Sequence, residues 1–378
     1  MSNLPALVTY MHDVIPIQSI SSSPVFSGES VQRSRIDGVV LSDAMRRPMQ
    51  DLRISVTDRC NLRCTYCMPR EIFDQNHAFL PRSELLTLEE IVRVAGSFVR
   101  LGVRKIRLTG GEPLMRRGIE QLVEKLSALR TTTGDAVDIA MTSNGVLLEA
   151  RAQALKNAGL SRITVSLDAL DEAIFQRMSD SPASVNSVLA GIAAAQRAGL
   201  TIKINMVVKR GVNDGEIMRM AAYFRNTGIV LRFVEYMDVG STNGWVMDEV
   251  VPAREIVEMI SARYPLVPLD ASCTGEVASR WAYADGAGEI GQIASVTQVF
   301  CHECTRIRLS TDGKLYTCLF AEQSNADLRA LLRGGRSDED IGHAIENCWQ
   351  NRTDRYSEIR NEVALLPRNK IEMSYIGG

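Results

Sequence analysis

The sequence has no long hydrophobic run, although 45% of its 378 residues are hydrophobic. No apolar stretch approaches the roughly 20 residues that a helix needs to cross a bilayer. An excess of charge of one sign is also absent, because 43 Lys and Arg residues face 45 Asp and Glu residues. The net charge of −2 argues against a general nucleic-acid or membrane-surface binder, so any basic site must be local.

The first 48 residues have neither a targeting signal nor strong periodicity. No basic segment followed by an apolar one is present, so we expect no secretory signal. A transit peptide is poor in acids, whereas acidic and basic residues balance here. We therefore predict a partly ordered extension over residues 1–48 and a cytoplasmic protein.

Cysteine is used in two tight groups rather than in scattered pairs. Six of the eight cysteines form two triplets: Cys60, Cys64 and Cys67, and then Cys301, Cys304 and Cys318. Because the chain is long and the triplets are compact, metal ligation in a reducing compartment is favoured over disulfides. Cys273 and Cys348 are predicted to be structural.

The first triplet has the spacing C-x3-C-x2-C and directly follows a predicted strand. Soft thiolates select zinc or iron–sulfur clusters, but a closed zinc site needs four ligands. No fourth cysteine is near, and His77 lies outside the triplet. A cubane cluster held by three thiolates leaves one iron open to a small molecule. With Tyr66 between its last two cysteines, the triplet resembles the signature of the radical S-adenosylmethionine (SAM) enzymes.

The second triplet has the spacing C-x2-C-x13-C and leaves more alternatives open. With His302 it is also compatible with a zinc ribbon. Arg306 and Arg308 follow it and share one face of a strand, next to a predicted hairpin turn at Asp312. Exposed salt bridges are the alternative explanation of these two arginines.

Short β-like runs alternate with helical patterns from Leu52 onward. The predicted strands are 52–57, 103–109, 137–142, 162–167, 202–208 and 230–236, with two further short strands at 280–284 and 290–296. The predicted helices are 88–100, 117–129, 149–157, 185–198, 214–226 and 252–263. Six βα units predict a parallel sheet that right-handed crossovers curl into a barrel or partial barrel.

The strand patterns also predict a polar interior. Parallel strands buried on both faces are nearly all apolar, yet four strands here carry polar residues on one face. Those residues are Arg53, Ser55 and Thr57; Lys105, Arg107 and Thr109; Thr164, Ser166 and Asp168; and Lys203 and Asn205. Because side chains alternate with period two, each set shares a face. The lumen is therefore predicted to be a cationic cavity suited to a polyanion such as a nucleoside triphosphate.

Two turns stand at the ends of predicted strands, where barrel sites are built. Residues 109–113 read TGGEP and residues 142–145 read TSNG. Alone, Gly-Gly is a common tight turn. Beside the thiolates, the first turn resembles the radical SAM loop that holds the amino group of the methionine moiety.

Together these features resemble one family, the GTP 3′,8-cyclases of molybdenum cofactor biosynthesis. The resemblance spans residues 51–378 and includes the first triplet, the GGEP loop, FVEYM at 233–237, the second triplet with Arg-x-Arg, and the Gly-Gly end. It implies an α/β fold, an incomplete (β/α)6 barrel closed by a C-terminal region with a second iron–sulfur site. The implied divisions are 1–48 (extension), 49–263 (partial barrel) and 264–378 (C-terminal region).

The resemblance also implies roles for individual residues and two [4Fe–4S] clusters with SAM as cofactors. Cys60, Cys64 and Cys67 would hold the first cluster, and Cys301, Cys304 and Cys318 the second. Tyr66, Gly111, Ser166 and Met237 would line the SAM site. Arg53, Lys105, Arg107, Thr142, Lys203, Arg306 and Arg308 would bind GTP, and Arg306, Arg308, Gly377 and Gly378 would act in catalysis.

The implied reaction converts GTP to (8S)-3′,8-cyclo-7,8-dihydroguanosine 5′-triphosphate through a radical derived from SAM. The implied partners are GTP, a reduced electron donor and the next enzyme of the pathway, with no nucleic acid and no membrane. Whether the protein forms a homodimer is left open by the sequence. Two rival hypotheses are a peptide-modifying radical SAM enzyme with an auxiliary cluster and a non-catalytic zinc or iron–sulfur scaffold.

Overall fold

The structure is a computed structural model that describes residues 41–272, 275–363 and 369–378. Most of the predicted extension (residues 1–40) and Cys273 therefore lie outside the described residues. Within the described part, no helix is both long and apolar enough to cross a membrane.

Six parallel strands form the centre of one sheet, in the order in which they occur along the chain. They are β1 (Asp51–Ser55), β2 (Lys105–Thr109), β3 (Asp138–Ser143), β4 (Arg162–Ser166), β5 (Thr201–Val208) and β6 (Val230–Glu235). All six predicted strands are confirmed, with ends that differ by two residues or fewer.

Helices follow the strands as the alternating pattern predicts. The first seven are α1 (Leu88–Arg100), α2 (Ile119–Ser127), α3 (Ala152–Asn157), α4 (Glu172–Ser179), α5 (Val185–Arg197), α6 (Ile217–Phe224) and α7 (Ala253–Ser261). Helix α1 begins at Thr87 because a capping box with Glu90 satisfies its first amides. The six predicted helices are confirmed, and α4 was missed. It is only eight residues long, but Asp171 caps it by accepting from two backbone amides.

One face of the parallel sheet is apolar and buried under these helices. Leu52, Ile54, Ile106, Leu108 and Val165 are each 1% exposed or less. Their neighbours on alternate positions point to the other face, which lines a cavity. Strands β1 to β6 all contribute to that cavity, so the sheet curves around it. The predicted partial barrel is confirmed, with a lumen that carries the polar face of the strands.

The chain after residue 263 adds strands to both edges of this sheet. They are β7 (Leu266–Leu269), β8 (Ser279–Tyr283), β9 (Glu289–Ile293), β10 (Arg306–Leu309), β11 (Lys314–Tyr316) and β12 (Ala326–Asp327). Strand β9 pairs in parallel with β6, and β10 pairs in parallel with β1. Strand β7 was missed because Pro268 suggested a break, but an edge strand tolerates proline.

Four more helices complete the described part: α8 (Leu328–Arg333), α9 (Asp338–Gln350), α10 (Tyr356–Val363) and α11 (Met373–Ile376). Helix α9 lies on α1 and buries Trp349 completely. The indole Nε1 of Trp349 donates to the carbonyl of Arg47, 3.0 Å away. The segment just before β1 is thereby attached to the C-terminal helices. The three predicted divisions of the chain remain predictions.

Candidate functional site

A cavity of about 840 Å³ lies inside the curved sheet, and both cysteine triplets line it. Strands β1 to β6 and β10 form its wall, and Gly378 at the end of the chain also lines it. The structure thus brings together thiols that are separated by more than 230 residues in the sequence.

The first triplet lies in the loop after β1, held by the glycine turn that follows β2. The Gly111 amide donates to the carbonyl of Thr57 at 2.7 Å, and the Glu112 amide donates to that of Arg59 at 2.8 Å. A Cβ atom on Gly111 would lie 2.3 Å from the Arg59 carbonyl oxygen, so only glycine fits. The sequence predicted a close approach of this turn to a ligand. The close approach in the structure is to the backbone that leads into the cysteines.

Glu112 joins the turns that follow β2 and β3. Its side chain is buried and accepts from the Ser143 hydroxyl at 2.9 Å and from the Asn144 amide at 2.7 Å. Burial raises the pKa of Glu112 to about 7, although these hydrogen bonds oppose the shift. The amide side chain of Asn144 in turn lies 3.8 Å from the Cys60 sulfur. The two turns predicted from sequence therefore form one support under the first triplet.

The residues predicted for the SAM side line the cavity next to the first triplet. These are Tyr66, Gly111, Ser166 and Met237. Tyr66 donates to Asp168 Oδ2 at 2.8 Å, and Asp168 Oδ1 accepts from the Val207 amide at 2.9 Å. Burial raises the pKa of Asp168 to about 6. The Tyr66–Asp168 bond, between residues 102 positions apart, was not predicted.

Arginines form a row across three neighbouring strands of the wall. In the register of the sheet, Arg308 on β10 stands beside Arg53 on β1, which stands beside Arg107 on β2. Burial, together with the positive charges of Arg306 and Arg107, lowers the pKa of Arg53 to about 9. Burial, together with the positive charges of Arg232 and Arg162, lowers the pKa of Arg107 to about 9. The wall therefore holds positive charge that nearby acids do not balance, and a bound polyanion would stabilise it.

The remaining predicted polar residues lie on the same wall. Lys105 pairs with Asp51 at 3.0 Å, and burial lowers the pKa of this lysine to about 8. Thr142 Oγ1 accepts from Arg107 at 3.2 Å. Lys203 on β5 also lines the cavity, and burial lowers its pKa.

On the six central strands, two arginines that line the cavity were missed by sequence reasoning, Arg162 on β4 and Arg232 on β6. Arg162 forms an ion pair with Asp138, and Arg232 donates to Thr164 Oγ1 at 3.1 Å. The period-two rule that identified Thr164 also reaches Arg162 two residues earlier, so a signal was present. Arg232 interrupts an apolar strand, which is the same kind of signal.

The second triplet lies at the opposite side of the arginine row. Cys301 and Cys304 flank a short 3-10 helix (Cys301–Glu303), and Cys318 follows β11. The Arg306 guanidinium lies 3.5 Å from the Cys304 sulfur. Burial would raise the pKa of Cys304, but Arg306 and Arg352 outweigh it and lower the pKa to about 6. A thiolate is thereby favoured at this position.

The two triplets fit iron–sulfur clusters better than single metal ions. None of the six thiols is in a disulfide, and all six line the cavity. Among the described residues, however, no three His, Cys, Asp or Glu side chains are close enough together to hold one metal ion. Zinc draws all its ligands to within about 2.0–2.3 Å of one centre. A cubane cluster is larger, so its three thiolates stand further apart than the ligands of one zinc ion.

The end of the chain enters the cavity. The Gly377 carbonyl accepts from the Arg308 guanidinium, and a Cβ atom on Gly377 would overlap the Thr109 side chain. Gly377 also has a φ of +79°, which favours glycine. Two residues before Gly377, the Tyr375 hydroxyl donates to Asp312 Oδ1 at 2.5 Å. The two terminal glycines are therefore held beside the strand that carries Arg306 and Arg308.

We expect Tyr375→Phe to loosen this tail. The variant loses a hydrogen bond to a buried carboxylate, which is worth about 1.5–3 kcal/mol, so amides of residues 376–378 should exchange at least about tenfold faster. Hydrogen–deuterium exchange of the reconstituted protein measures this change. Tyr223→Phe is the matched control, because Tyr223 is half-exposed and lies in α6. Unchanged exchange in Tyr375→Phe would show that the Asp312 bond does not hold the tail.

Two family models and several known proteins match this chain. The family model of the radical SAM superfamily matches residues 54–224, and that named Molybdenum Cofactor Synthesis C matches residues 229–358. A GTP 3′,8-cyclase of Acidothermus cellulolyticus is 51% identical over 363 residues, covering 89% of this chain and 99% of that protein. A GTP 3′,8-cyclase of Staphylococcus aureus is 45% identical over 341 residues, with the same coverage of both chains.

Solved structures share the fold at low sequence identity. SuiB of Streptococcus suis bound to S-adenosylmethionine has a TM-score of 0.57 and is 14% identical, covering 84% of this chain and 75% of that one. The same enzyme bound to its precursor peptide SuiA has a TM-score of 0.55 at 15% identity, covering 87% of this chain and 76% of that one. At this level of identity the likeness concerns the fold alone.

Proposed function

The chain belongs to the GTP 3′,8-cyclase family of radical SAM enzymes, and on that premise we propose that its cavity binds GTP between SAM and a second iron–sulfur cluster. The row of Arg308, Arg53 and Arg107 across three strands carries this proposal. It lies between the two thiol triplets and holds positive charge that nearby acids leave unbalanced. A nucleoside triphosphate is a polyanion of the size that a cavity of about 840 Å³ accommodates.

The two triplets have different tasks in this proposal. Cys60, Cys64 and Cys67 hold the [4Fe–4S] cluster that binds SAM. Cys301, Cys304 and Cys318 hold the second [4Fe–4S] cluster, beside the substrate. A reduced cluster and SAM bound at this site would supply the carbon radical that takes the 3′ hydrogen of GTP. Bonding of C3′ to C8 of guanine would then need one further electron and one proton to give the cyclised nucleotide.

The residues of the chain bind and orient the reactants. Tyr66, fixed by its bond to Asp168, lines the SAM side together with the remaining predicted residues, Gly111, Ser166 and Met237. Arg53, Lys105, Arg107, Thr142 and Lys203 bind the nucleotide from the wall of β1 to β5. Arg306 and Arg308 bind it from β10, next to the second triplet. Holding both reactants in one geometry is the protein's main contribution, because the cofactors perform the hard chemistry.

The terminal glycines complete the substrate side of the cavity. The bond from Arg308 to the Gly377 carbonyl brings Gly377 and Gly378 next to the arginine row. Side chains are absent there, so a ligand can approach the backbone closely. We assign Gly377 and Gly378 a role in closing the site around GTP.

The cell context is part of the same proposal. An electron must come from a reduced donor, and the cyclised nucleotide passes to the next enzyme of the pathway. Thiolates that hold clusters need a reducing compartment, which supports a cytoplasmic location.

An anaerobic assay tests the proposal directly. Iron-reconstituted protein is mixed with dithionite, SAM and GTP, and both 5′-deoxyadenosine and the nucleotide product are measured. We expect cyclised GTP and 5′-deoxyadenosine to appear together, and omission of either SAM or GTP to stop the cyclised product. Cleavage of SAM with unchanged GTP would contradict the assigned substrate and turn the search to peptides. No cleavage of SAM by protein that holds iron would favour the scaffold hypothesis.

A further inference from the structure

Two buried arginines lie behind the second triplet, on the segment before β1 and on the loop after α9. Arg47 is 2% exposed and Arg352 is 4% exposed. Asp43 and Asp354 accompany them, and these four residues are called the arginine clamp below. Sequence reasoning had assigned residues 43 and 47 to a partly ordered extension.

Both arginines of the clamp donate to the backbone of cluster cysteines, and Arg352 also faces the Cys304 thiol, whose pKa it helps to lower. Arg47 Nη1 donates to the Cys301 carbonyl at 2.8 Å and to the Asp354 carbonyl at 3.0 Å. Arg352 Nη1 donates to the Cys304 carbonyl at 2.7 Å. The short helical turn between Cys301 and Cys304 is therefore held at both ends by a guanidinium.

The two aspartates fix the directions of the guanidinium groups. Arg47 Nε donates to Asp43 Oδ2 at 2.5 Å, and Arg352 Nε donates to Asp354 Oδ2 at 2.7 Å. The Arg352 guanidinium also lies 4.6 Å from the centre of the Trp349 ring. Two positive and two negative side chains make the clamp neutral as a whole.

Stability alone gives a poor account of this arrangement. Taking ion pairs out of water costs about as much as their attraction returns, so a buried pair is weak evidence for stability. Arg47 Nη2, moreover, is buried and has no hydrogen-bond partner within the described residues. A group selected only for stability would satisfy that donor. The bonds that the clamp does make converge on the Cys301–Cys304 turn.

We propose that Arg47 and Arg352 are positioning residues for the second cluster, which fix the turn that presents the Cys301 and Cys304 thiolates. This inference rests on the second cluster of the proposed function. It extends the second site to the segment before β1. Outer-shell partners of metal ligands contribute roughly 10–100-fold to metal affinity, so loss of either arginine should release this cluster selectively.

Iron release to a chelator tests the clamp in the full-length, anaerobically reconstituted protein. Wild-type protein should hold about eight irons, as two cubane clusters require. We expect Arg352→Gln and Arg47→Gln to lose about half of that iron at least tenfold faster than wild type. The iron of the first cluster and the ability to cleave SAM should remain. Electron paramagnetic resonance of the reduced protein distinguishes the two clusters.

A lysine variant separates position from charge. Lysine keeps the positive charge but cannot donate to the Cys304 carbonyl and Asp354 in the planar geometry of arginine. We expect Arg352→Lys to lose the second cluster almost as fast as Arg352→Gln. Retention of the cluster in Arg352→Lys at the wild-type rate would overturn the positioning role in favour of simple charge compensation.

Arg333→Gln is the matched control. Arg333 also pairs with a carboxylate, Glu90, and donates to two backbone carbonyls, but it does not line the cavity. Its loss should leave iron release unchanged. If wild-type protein holds one cluster, the premise of a second cluster fails. If wild type and both glutamine variants release iron at the same rate, the clamp inference fails while the proposed function stands. Asp354→Asn gives a milder second test should Arg352→Gln not fold.

Discussion

We expect Cys64→Ser to abolish the formation of 5′-deoxyadenosine from SAM and to reduce the iron content from about eight to about four atoms per chain. Cys64 is the middle member of the first triplet and lines the cavity. Near neutral pH a serine hydroxyl is an uncharged, hard ligand, so it does not replace a soft thiolate as a ligand of iron. Without the first cluster, SAM has no iron to bind and no adjacent cluster to reduce it. Iron analysis and chromatography of the anaerobic reaction measure both effects.

Cys348→Ser is the control for this variant. Cys348 lies in α9, 6% exposed, and burial raises the pKa of its thiol to about 12. It is outside both triplets, so its variant should keep eight irons and cleave SAM at the wild-type rate. Full iron content together with normal SAM cleavage in Cys64→Ser would show that the first triplet does not hold the SAM-binding cluster.

The alternation of elements and the polar lumen could be predicted because both are local patterns. Strands at 52–57 and 103–109 carry Arg53 and Arg107 at alternate positions, and period two places such residues on one face. The structure has them paired in register on β1 and β2. The same rule reaches Arg162 through Thr164 and Ser166, whereas Arg232 stands alone in the apolar run of β6.

The position of β10 could not be predicted from the sequence. Nothing in the short run from Arg306 to Leu309 specifies that it pairs in parallel with β1, about 250 residues earlier in the chain. Such a pairing depends on long-range packing, whereas sequence patterns report only local preference. Yet this one pairing completes the arginine row and places the second triplet opposite the first.

The arginine clamp is a second feature that could not be predicted from the sequence. Arg47 follows a serine-rich, weakly patterned segment, so its sequence context predicts no structure. Its functional contacts are with Cys301 and Asp354, both more than 250 residues away. Residues that act through backbone carbonyls leave no motif, because any residue type can supply the carbonyl.

The second large effect is expected for Arg308→Ala, which should reduce the conversion of GTP by roughly 100-fold or more. Arg308 is 4% exposed and stands in the row beside Arg53, where burial and neighbouring positive charges lower its pKa well below the ordinary range. Keeping Arg308 charged in this buried position therefore costs free energy of folding. A bound triphosphate offsets this cost through its attraction to Arg308, and the alanine variant loses that attraction.

The same substitution also releases the Gly377 carbonyl. The loss of GTP conversion should therefore exceed the loss caused by removing an arginine that contacts the substrate alone. Arg308→Lys should recover part of the activity because it restores the positive charge. Arg254→Ala is a suitable control, because the Arg254 side chain is 85% exposed and pairs only with Glu258. Rates of GTP conversion at several GTP concentrations separate weaker binding from slower chemistry.

Iron content decides what a loss of activity in Arg308→Ala means. Arg308 lies four residues beyond Cys304, but within the described part of the chain its guanidinium hydrogen-bonds to the tail, so both clusters should remain in the variant. Near-normal iron with strongly reduced GTP conversion supports a role in substrate binding and tail placement. Selective loss of the second cluster would instead assign Arg308 to the support of the metal site. That outcome would leave Arg53 and Arg107 as the main anchors of the triphosphate, because their row on β1 and β2 does not depend on β10.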